Sequence, residues 1–286
     1  MIAIVVPTIR KNKYSEFVSK WRELFHNHDI NLITVFDGKY PILKNTNGKE
    51  FTVKQIMGKY SDLIYNFNDG VRNLGFAYVN RFIPEVETII TLDDDVEPFG
   101  DTIQDHLDVL NTYVPTSWIS TASEYTRGFP YGIRGESEVV LSHGVWKGVA
   151  DWDAPTQLIK GNRLVDFYKG PIPKGIFYPM CIMNVAFKRK MLPYMYQAPM
   201  GHRVGLDRFA DIWSGIESKK VIDEKGWAVV SGYATVKHER ASNVFTNLVK
   251  ESKGLGMNEK YGEDEYFKLY QRQRQRWEEF CGKCTD

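Results

Sequence analysis

The sequence predicts an α/β fold, in which a central mixed sheet is flanked by helices and followed by a helical C-terminal extension. Three observations support this prediction. Short β-branched runs alternate with helical periodicity in the first half, polar clusters follow three of those runs, and the C-terminal segment is charged with aromatic residues on one side. Strand–helix–strand order favours parallel pairing and a Rossmann-like half, which binds ligands at the carboxyl ends of its strands.

The first half supplies most of the strand signals. Its predicted strands cover residues 2–6, 31–36, 62–65 and 88–92, each a short apolar or β-branched run. Its predicted helices cover 14–25, where apolar residues recur at helical spacing, and 69–81, with Asn68 or Asp69 as its N-cap. Residues 39–60 are polar and are interpreted as loop with a short helix.

The second half is less regular, and residues 123–180 are rich in Gly, Pro and aromatic residues. Helices are predicted for residues 183–192, 208–222, 241–253 and 259–280, and short strands for 227–230 and 233–237 around a Ser-Gly turn. We expect one domain over residues 1–255 and a helical extension over 256–286 that packs on it. The arginine-rich part of the last helix is interpreted as a solvated face, with a partner or nucleic-acid surface as the less favoured alternative.

Composition excludes several classes of protein. The 286 residues are 43% hydrophobic and 26% charged, with a formal net charge of +1, so no global field attracts DNA or an anionic membrane. The apolar N-terminus is too short to span a membrane and lacks a secretory leader, which predicts a cytoplasmic protein without membrane insertion. Cys181 is expected to be buried, and the role of Cys281 and Cys284 is left open.

Three consecutive aspartates, Asp93, Asp94 and Asp95, follow the predicted strand at 88–92. Adjacent carboxylates repel one another and are costly to desolvate. If the strand alternation continues, Asp93 and Asp95 project to one side and make a hard-oxygen site for Mg²⁺ or Mn²⁺. Such ions are held by one or two carboxylates plus substrate phosphates. The alternative is a solvated acidic turn.

Other polar residues suit the neighbours of such a site. Arg72 offers a planar bidentate donor for a diphosphate, although Asp69 can simply pair with it. Asp211 begins a predicted helix and is either a dipole partner or a base or sugar ligand. His238 follows a late strand and is a candidate further metal ligand. Asp151 and Asp153 flank a tryptophan, a combination that suits a sugar, with an ordered surface loop as the alternative.

These motifs, in this order, resemble the reversibly glycosylated polypeptides, also called UDP-arabinopyranose mutases. The resemblance extends over residues 2–255. It rests on Val6-Pro-Thr-Ile-Arg10, Phe36-Asp-Gly38, Asp93–Asp95, Arg127-Gly-Phe-Pro130, Ser142-His-Gly-Val-Trp146, Asp151-Trp-Asp-Ala-Pro-Thr-Gln157, Ile172-Pro-Lys-Gly175, the run from Tyr178 to Phe187, the run from Lys237 to Phe245, and Asn247-Leu248.

The resemblance implies a glycosyltransferase-A-like fold, a divalent metal and the interconversion of UDP-arabinopyranose and UDP-arabinofuranose. It also implies reversible glycosylation of an arginine, for which Arg127 is the matching residue, with Arg134 as a second required arginine. Together with the candidates above, the expected nucleotide contacts are Pro7, Thr8, Arg10, Asp37, Asp69, Arg72, Asp93 and Asp94. The expected catalytic residues are Arg127, Arg134 and Asp211, the sugar contacts Asp151, Asp153, His143 and Asn184, and the metal ligands Asp93, Asp95 and His238.

In the expected mechanism the metal and Arg72 neutralise the diphosphate, and the sugar ring opens and recloses before UDP attacks it again. Arg127 carries the sugar covalently or only grips the diphosphate. Two alternatives remain: a glycosyltransferase that moves sugar from UDP to an outside acceptor, and a non-catalytic protein that binds nucleotide sugars. The expected partner is a UDP-sugar, nucleic acid is not expected, and homo- and hetero-oligomers are both left open.

Overall fold

The computed structural model describes residues 1–119, 125–161, 166–239 and 243–282, so Cys284 lies outside the described residues. The strands are β1 Ile2–Thr8, β2 Ile30–Phe36, β3 Ile42–Lys44, β4 Glu50–Thr52, β5 Thr88–Leu92, β6 Val96–Pro98, β7 Tyr113–Val114, β8 Ser137–Gly148, β9 Gly170–Pro171, β10 Asn184–Lys188 and β11 Ala228–His238. The α-helices are α1 Lys11–Asn27, α2 Val53–Met57, α3 Asn73–Phe82, α4 Thr102–Leu110, α5 Ala154–Lys160, α6 Ala210–Glu224, α7 Val244–Glu259 and α8 Glu265–Phe280. Short 3₁₀ helices cover Gly58–Leu63, Asp69–Arg72, Tyr131–Ile133 and Arg189–Tyr194.

The strands form a mixed sheet in the order β4-β3-β2-β1-β5-β10-β8-β11-β6, with β7 on β8 and β9 on β11. β1 pairs in parallel with β2 and β5, as strand–helix alternation predicts. β10 runs antiparallel to β5 with Asn184 opposite Leu92, so the start of β10 lies at the edge where β5 ends. The predicted α/β class with a mixed sheet flanked by helices is confirmed.

Both faces of the sheet are covered, which explains why its central strands are apolar throughout. Along β1, Ala3 and Val5 pack into the cluster that contains α3, α6 and α8. The alternate residues Ile4 and Val6 pack into a second cluster with α1 and α4. This alternation is the two-residue period of a strand buried on both sides. Because helices cover both faces of the sheet, the edge at the carboxyl ends of the strands is the surface that remains between the two helical layers.

The last helix packs against the body of the protein. Trp277 of α8 is fully buried, and its indole N–H donates to the carbonyl of Leu192 at 2.9 Å. Arg274, which belongs to the arginine-rich segment, forms a buried pair with Glu217 of α6 at 2.6 Å. The division of the chain at residue 255 stays a prediction, and α7 is continuous there. None of the helices in the described ranges has both the length and the apolar character that crossing a membrane requires.

Several element predictions are wrong. Residues 62–65 were expected to form a strand, but the chain forms a 3₁₀ helix to Leu63. The helix expected over 183–192 is instead β10 followed by a 3₁₀ helix. The expected loop at 39–60 contains the β3–β4 hairpin, and the strand β8 was missed. The two short strands expected around residue 231 are one strand, β11, whose register shifts between Ser231 and Thr235.

Helix α3 lies unusually close to the sheet at Gly75. A Cβ at this position would collide with Cγ1 of Val5 and lie 3.3 Å from Cγ2 of Val35. Both valines are fully buried and cannot move aside. In an open helical site, Gly→Ala stabilises by roughly 0.5–1 kcal/mol.

We therefore expect Gly75→Ala to lower the free energy of unfolding, by roughly 1–3 kcal/mol, because overpacking outweighs helix propensity. Chemical denaturation measures the change. The matched control is Gly256→Ala in α7, where no atom lies within 4 Å of the new methyl group and a small gain is expected. Equal gains in both variants would contradict the close approach of α3.

Candidate active site

A cleft of about 310 Å³ opens at the carboxyl ends of β1, β2 and β5. Six of the residues predicted to contact a nucleotide line this one cleft. The full lining comprises Pro7, Thr8, Ile9, Arg10, Asp37, Phe67, Asn68, Asp69, Val71 and Asp94. Parallel strands bring these separate segments together because their carboxyl ends share one edge of the sheet.

The aspartate turn after β5 is held by Thr8, the last residue of β1, and by Arg10, which follows that strand. The hydroxyl of Thr8 donates to Asp94 at 2.5 Å. The guanidinium of Arg10 pairs with Asp94 and also reaches Asp95 at 3.1 Å. Asp94 and Asp95 therefore share one arginine, whereas the strand alternation predicted that Asp94 projects to the opposite side from Asp93 and Asp95. The alternation does not continue into the aspartates because β5 ends at Leu92. Burial, with the neighbouring Asp93 carboxylate, raises the pKa of Asp95.

Arg72 is the cation beneath Asp93. Its side chain is 1% exposed, and it donates to Asp93 at 2.6 Å and to the hydroxyl of Thr91 at 2.5 Å. Asp69 lies 3.7 Å from the same guanidinium, so the simple i,i+3 pair is the weaker of the two ion pairs. The Nε atom of Arg72 is buried and has no hydrogen-bond partner among the described residues. Thr91 was not foreseen, because an inward-facing threonine in an apolar strand carries no distinctive sequence signal.

A group of carboxyl side chains lies next to the cleft, and one of its members, Asp69, also lines the cleft. Asp211, in the first turn of α6, accepts the backbone N–H of Ile182 at 3.2 Å. Burial raises the pKa of Asp211 to about 8, and the charges of Asp69 and Asp151 add to this effect, against the opposing charge of Arg72. Burial and the Asp93 charge likewise raise the pKa of Asp69 to about 6. We call Asp69, Asp151 and Asp211 the acidic pocket.

Arg208 is a cation beside the acidic pocket to which the sequence assigned no role. Its Nε donates to Glu251 of α7 at 2.7 Å, and Glu251 also accepts the backbone N–H of Ala154 at 2.6 Å. The charges of Asp151 and Asp69 contribute to raising the pKa of Arg208. Its backbone has φ 66°, a left-handed conformation that is rare outside glycine and that no sequence pattern announces here.

The four expected sugar contacts differ in the burial of their side chains and in the hydrogen-bond partners that these already have. His143 is buried, its Nδ1 lies 2.9 Å from both the Tyr178 hydroxyl and Ser231 Oγ, and its Nε2 has no partner in the described ranges. Burial lowers the pKa of His143 to about 4, so the ring is neutral. Asp151 belongs to the acidic pocket.

The other two residues already have partners within the protein, and their sugar contacts stay predictions. Asn184 is 1% exposed, and its amide bonds to His106 at 2.8 Å and to the carbonyls of Val145 and Ala234, so it supports the sheet. Asp153 is the N-cap of α5, and its two oxygens accept from the backbone N–H and the hydroxyl of Thr156 at 2.9 and 2.8 Å.

The three expected metal ligands are each bonded to other groups. Asp93 pairs with Arg72, Asp95 with Arg10, and Nδ1 of His238 lies 3.0 Å from the carbonyl of Val149. Within the described ranges no three or more His, Cys, Asp and Glu side chains are grouped to hold a metal ion. His238 is nevertheless close enough to Asp95 to stabilise its charge. The metal site stays a prediction.

The two expected catalytic arginines lie in the segment 125–136. The guanidinium of Arg134 lies 3.9 Å from the ring centre of Tyr131 and 4.6 Å from that of Tyr125, and it donates to the carbonyl of Phe129 at 2.8 Å. Arg127 is exposed. In the part of the chain that the structure describes, neither arginine forms an ion pair with the aspartates of the cleft. Their catalytic roles stay predictions.

Comparisons with known proteins identify the family that the chain matches. A family model described as "Reversibly glycosylated polypeptide" matches residues 1–269. "Probable UDP-arabinopyranose mutase 4" of Arabidopsis thaliana is 34% identical over 282 residues, covering 90% of this chain and 74% of that protein. "UDP-arabinopyranose mutase 3" of the same plant is 32% identical, covering 88% of this chain and 74% of that protein. Among solved structures, A197 from STIV is similar at 10% identity and a TM-score of 0.31, covering 83% of this chain and 81% of that one.

Proposed function

The chain belongs to the reversibly glycosylated polypeptide family, and from this premise we propose that it interconverts UDP-arabinopyranose and UDP-arabinofuranose. The relatives named as UDP-arabinopyranose mutases support the proposal because they match over most of the chain. One structural observation carries it: the cleft lined by the expected nucleotide contacts shares Asp69 with the acidic pocket. A diphosphate anchor and proton-exchanging groups are therefore adjacent.

The reaction itself sets what the site must do. In the pyranose the ring oxygen is O5 and the 4-hydroxyl is free, whereas in the furanose the ring oxygen is O4 and the 5-hydroxyl is free. The bond from C1 to UDP breaks, the bond from C1 to O5 is exchanged for one to O4, and UDP returns to C1. One proton moves from O4 to O5. The protein must hold the UDP and accept and return that proton.

The charges of the cleft suit a diphosphate together with a cation. Arg10 and Arg72 are bidentate donors of the kind that bind phosphate oxygens. Four carboxylates accompany these two guanidiniums, namely Asp69, Asp93, Asp94 and Asp95. The excess negative charge would repel a diphosphate, and a divalent cation offsets it.

The residues present fit Mg²⁺ or Mn²⁺, which use one or two carboxylates plus substrate phosphates. Asp93 and Asp95 would hold the ion, and their repulsion, which contributes to the raised pKa of Asp95, would be relieved. A bound divalent ion neutralises the diphosphate and makes UDP a better leaving group. Arg10 and Arg72, now paired with these carboxylates, would turn to the phosphate oxygens.

The acidic pocket supplies the proton carrier. A general acid–base group works best when its pKa lies near the working pH. Asp211, with a pKa of about 8, holds a proton at neutral pH and can give it to O5. Asp69, with a pKa of about 6, is largely ionised and can take one from O4. Two carboxyl groups with separated pKa values are the usual arrangement for paired acid and base roles.

Two further features belong to the same proposal. Reversible glycosylation is assigned to Arg127, which is exposed. Because a guanidinium is a poor nucleophile while protonated, a carboxylate must assist it.

A cytoplasmic location is supported by the free thiols of Cys181 and Cys281 in the described structure.

The test is to incubate the full chain with UDP-arabinopyranose and Mn²⁺ without any acceptor, and to separate the nucleotide sugars by chromatography. We expect conversion to UDP-arabinofuranose and, in intact-protein mass spectra, a pentose adduct that is absent from Arg127→Lys. UDP-glucose serves as the control substrate for sugar selectivity. No furanose product, together with sugar transfer once an acceptor is added, would identify an ordinary glycosyltransferase instead.

A further inference from the structure

Phe67 is an exposed aromatic side chain in a cleft that charged and polar side chains also line. Its residue is 43% exposed, and it lines the same cleft as Thr8, Arg10 and Asp94. Single exposed apolar residues are common on protein surfaces and mean little alone. Here the ring faces the volume that the charged groups also line, so its position calls for a physical reason.

The backbone of Phe67 is strained. Its φ of 60° lies in the left-handed region, which a bulky side chain rarely adopts. Such strain persists only where the surrounding structure enforces it, and it concentrates at ligand sites. A relaxed backbone would turn the ring to a different direction.

The neighbouring side chains hold this conformation in place. Asn66 donates to the carbonyl of Gly38 at 2.9 Å, and Asn68 donates to the carbonyl of Asn66 at 2.7 Å. The Asn68 side chain also accepts the backbone N–H of Gly70 at 2.8 Å. The carboxylate of Asp37 faces the backbone N–H groups of Phe67 and Asn68. The loop is therefore fixed from both sides before any ligand arrives.

The ring itself is also supported, since the edge of His202 packs against it with ring centres 6.1 Å apart. A fixed, half-exposed ring loses little conformational entropy when it stacks on a planar ligand. The ligand of the proposed function has one planar group, its nucleobase.

We propose that the Phe67 ring is the platform on which the nucleobase of the UDP-sugar stacks. The inference rests on the proposed function and assigns its base subsite. Arg10 and the aspartate turn provide the charged part of the cleft for the diphosphate, and Phe67 provides a π-face for the base. Asp37 then acts partly as a positioning residue, because it holds the backbone that carries the ring.

Calorimetric titration of the full chain with UDP, at fixed Mn²⁺, tests this assignment. We expect Phe67→Leu and Phe67→Asn to weaken UDP binding roughly 5- to 150-fold, the usual effect of losing one base–aromatic stack. Phe67→Trp should retain the affinity. Because asparagine tolerates the left-handed backbone, Phe67→Asn should unfold at a temperature no lower than the parent protein.

Two controls make the outcome specific. Phe82→Leu removes an equally exposed ring, 42% against 43%, that packs on Phe51 outside the cleft, and it should leave UDP binding unchanged. Binding of inorganic pyrophosphate should be the same in the parent protein and in Phe67→Leu. An equal loss for UDP and pyrophosphate would assign Phe67 a structural role and overturn the stacking proposal.

The remaining outcomes separate this inference from the proposed function. If the parent protein binds UDP, and Phe67→Leu and Phe67→Asn bind it equally well, only the base platform is overturned. If the parent protein does not bind UDP at all, the proposed function and the base platform are overturned together.

Discussion

Asp211→Asn is expected to lower the rate of UDP-arabinopyranose conversion by roughly 10²–10⁴-fold, the usual contribution of one general acid–base group. Asparagine keeps the shape and can still accept the backbone N–H of Ile182, but it cannot exchange a proton. UDP binding should persist because Asp211 is not among the residues that line the nucleotide cleft. Chromatographic rates, with calorimetry for UDP affinity, measure the two effects separately.

The same substitution has a consequence for stability whose sign follows from the raised pKa. A carboxyl group that binds its proton more tightly when folded contributes stability that is complete below its unfolded pKa of about 4. That contribution is lost as the pH rises through about 8, the folded value. Asparagine does not titrate, so Asp211→Asn should unfold at a higher temperature than the parent protein at pH 8.

The difference should shrink as the pH falls toward 4, where Asp211 is protonated in the folded state and about half protonated in the unfolded state. The groups that set this behaviour are Asp69, Asp151 and Arg72 around Asp211. Asp108→Asn, on the exposed side of α4, is the matched control and should change neither the rate nor the pH profile. Full activity in Asp211→Asn, or a stability difference independent of pH, would contradict the assignment.

Arg72→Met is expected to lower the free energy of unfolding by about 3–5 kcal/mol, the range for breaking a buried ion pair by removing one partner. Methionine fills much of the volume but leaves Asp93 without its donor at 2.6 Å and Thr91 without its partner at 2.5 Å. Chemical denaturation measures the loss. UDP binding should fall as well, because Asp93 loses the guanidinium that holds it next to Asp94 of the cleft.

An exposed ion pair gives the matched comparison. Arg276 pairs with Asp62 in bidentate geometry, and the two side chains are 37% and 47% exposed. Arg276→Met should cost less than about 1 kcal/mol. Adding Asp93→Asn to Arg72→Met should restore part of the stability, since it removes the unpaired charge of Asp93, whose side chain is only 31% exposed. Equal losses in the two single variants would show that burial of Arg72 does not matter.

The parallel half of the fold was predictable because local and long-range signals agree there. The strands β1, β2 and β5 are short β-branched runs, and the intervening helices α1 and α3 show helical spacing. Topology rules then leave few arrangements for strands that alternate with helices. The edge at which polar residues gather follows from the same reasoning.

The second half was harder for physical reasons. Within residues 183–192 the apolar run is short and ends at Phe187, and periodicity cannot separate a buried strand from a buried helix at that length. The strand β8 is interrupted by Ser142, His143 and Gly144, so its apolar run looks too short. Gly144 is required there because a Cβ would collide with Asn184 on the neighbouring strand, a contact that no local pattern reveals.

Within the site, sequence reasoning found residues that belong to contiguous motifs at strand ends and missed those defined by geometry. Thr8, Arg10, Asp37 and the aspartate turn follow predicted strands and meet in one cleft. Arg208 and Phe67 depend on left-handed backbone conformations, which no local sequence pattern indicates. The hydrogen bonds of Asn184 within the sheet were not foreseen, because a polar residue in a motif can serve the sheet as well as a substrate.

The cleft is assembled from segments around residues 8, 37, 67 and 94, which lie far apart along the chain and meet only through the sheet. Contacts of large sequence separation close long loops, and the entropy of that closure slows folding. A binding-competent cleft should therefore emerge late in refolding, after the local helices. The rate at which nucleotide binding recovers during refolding would then report the rate of the final assembly of the sheet.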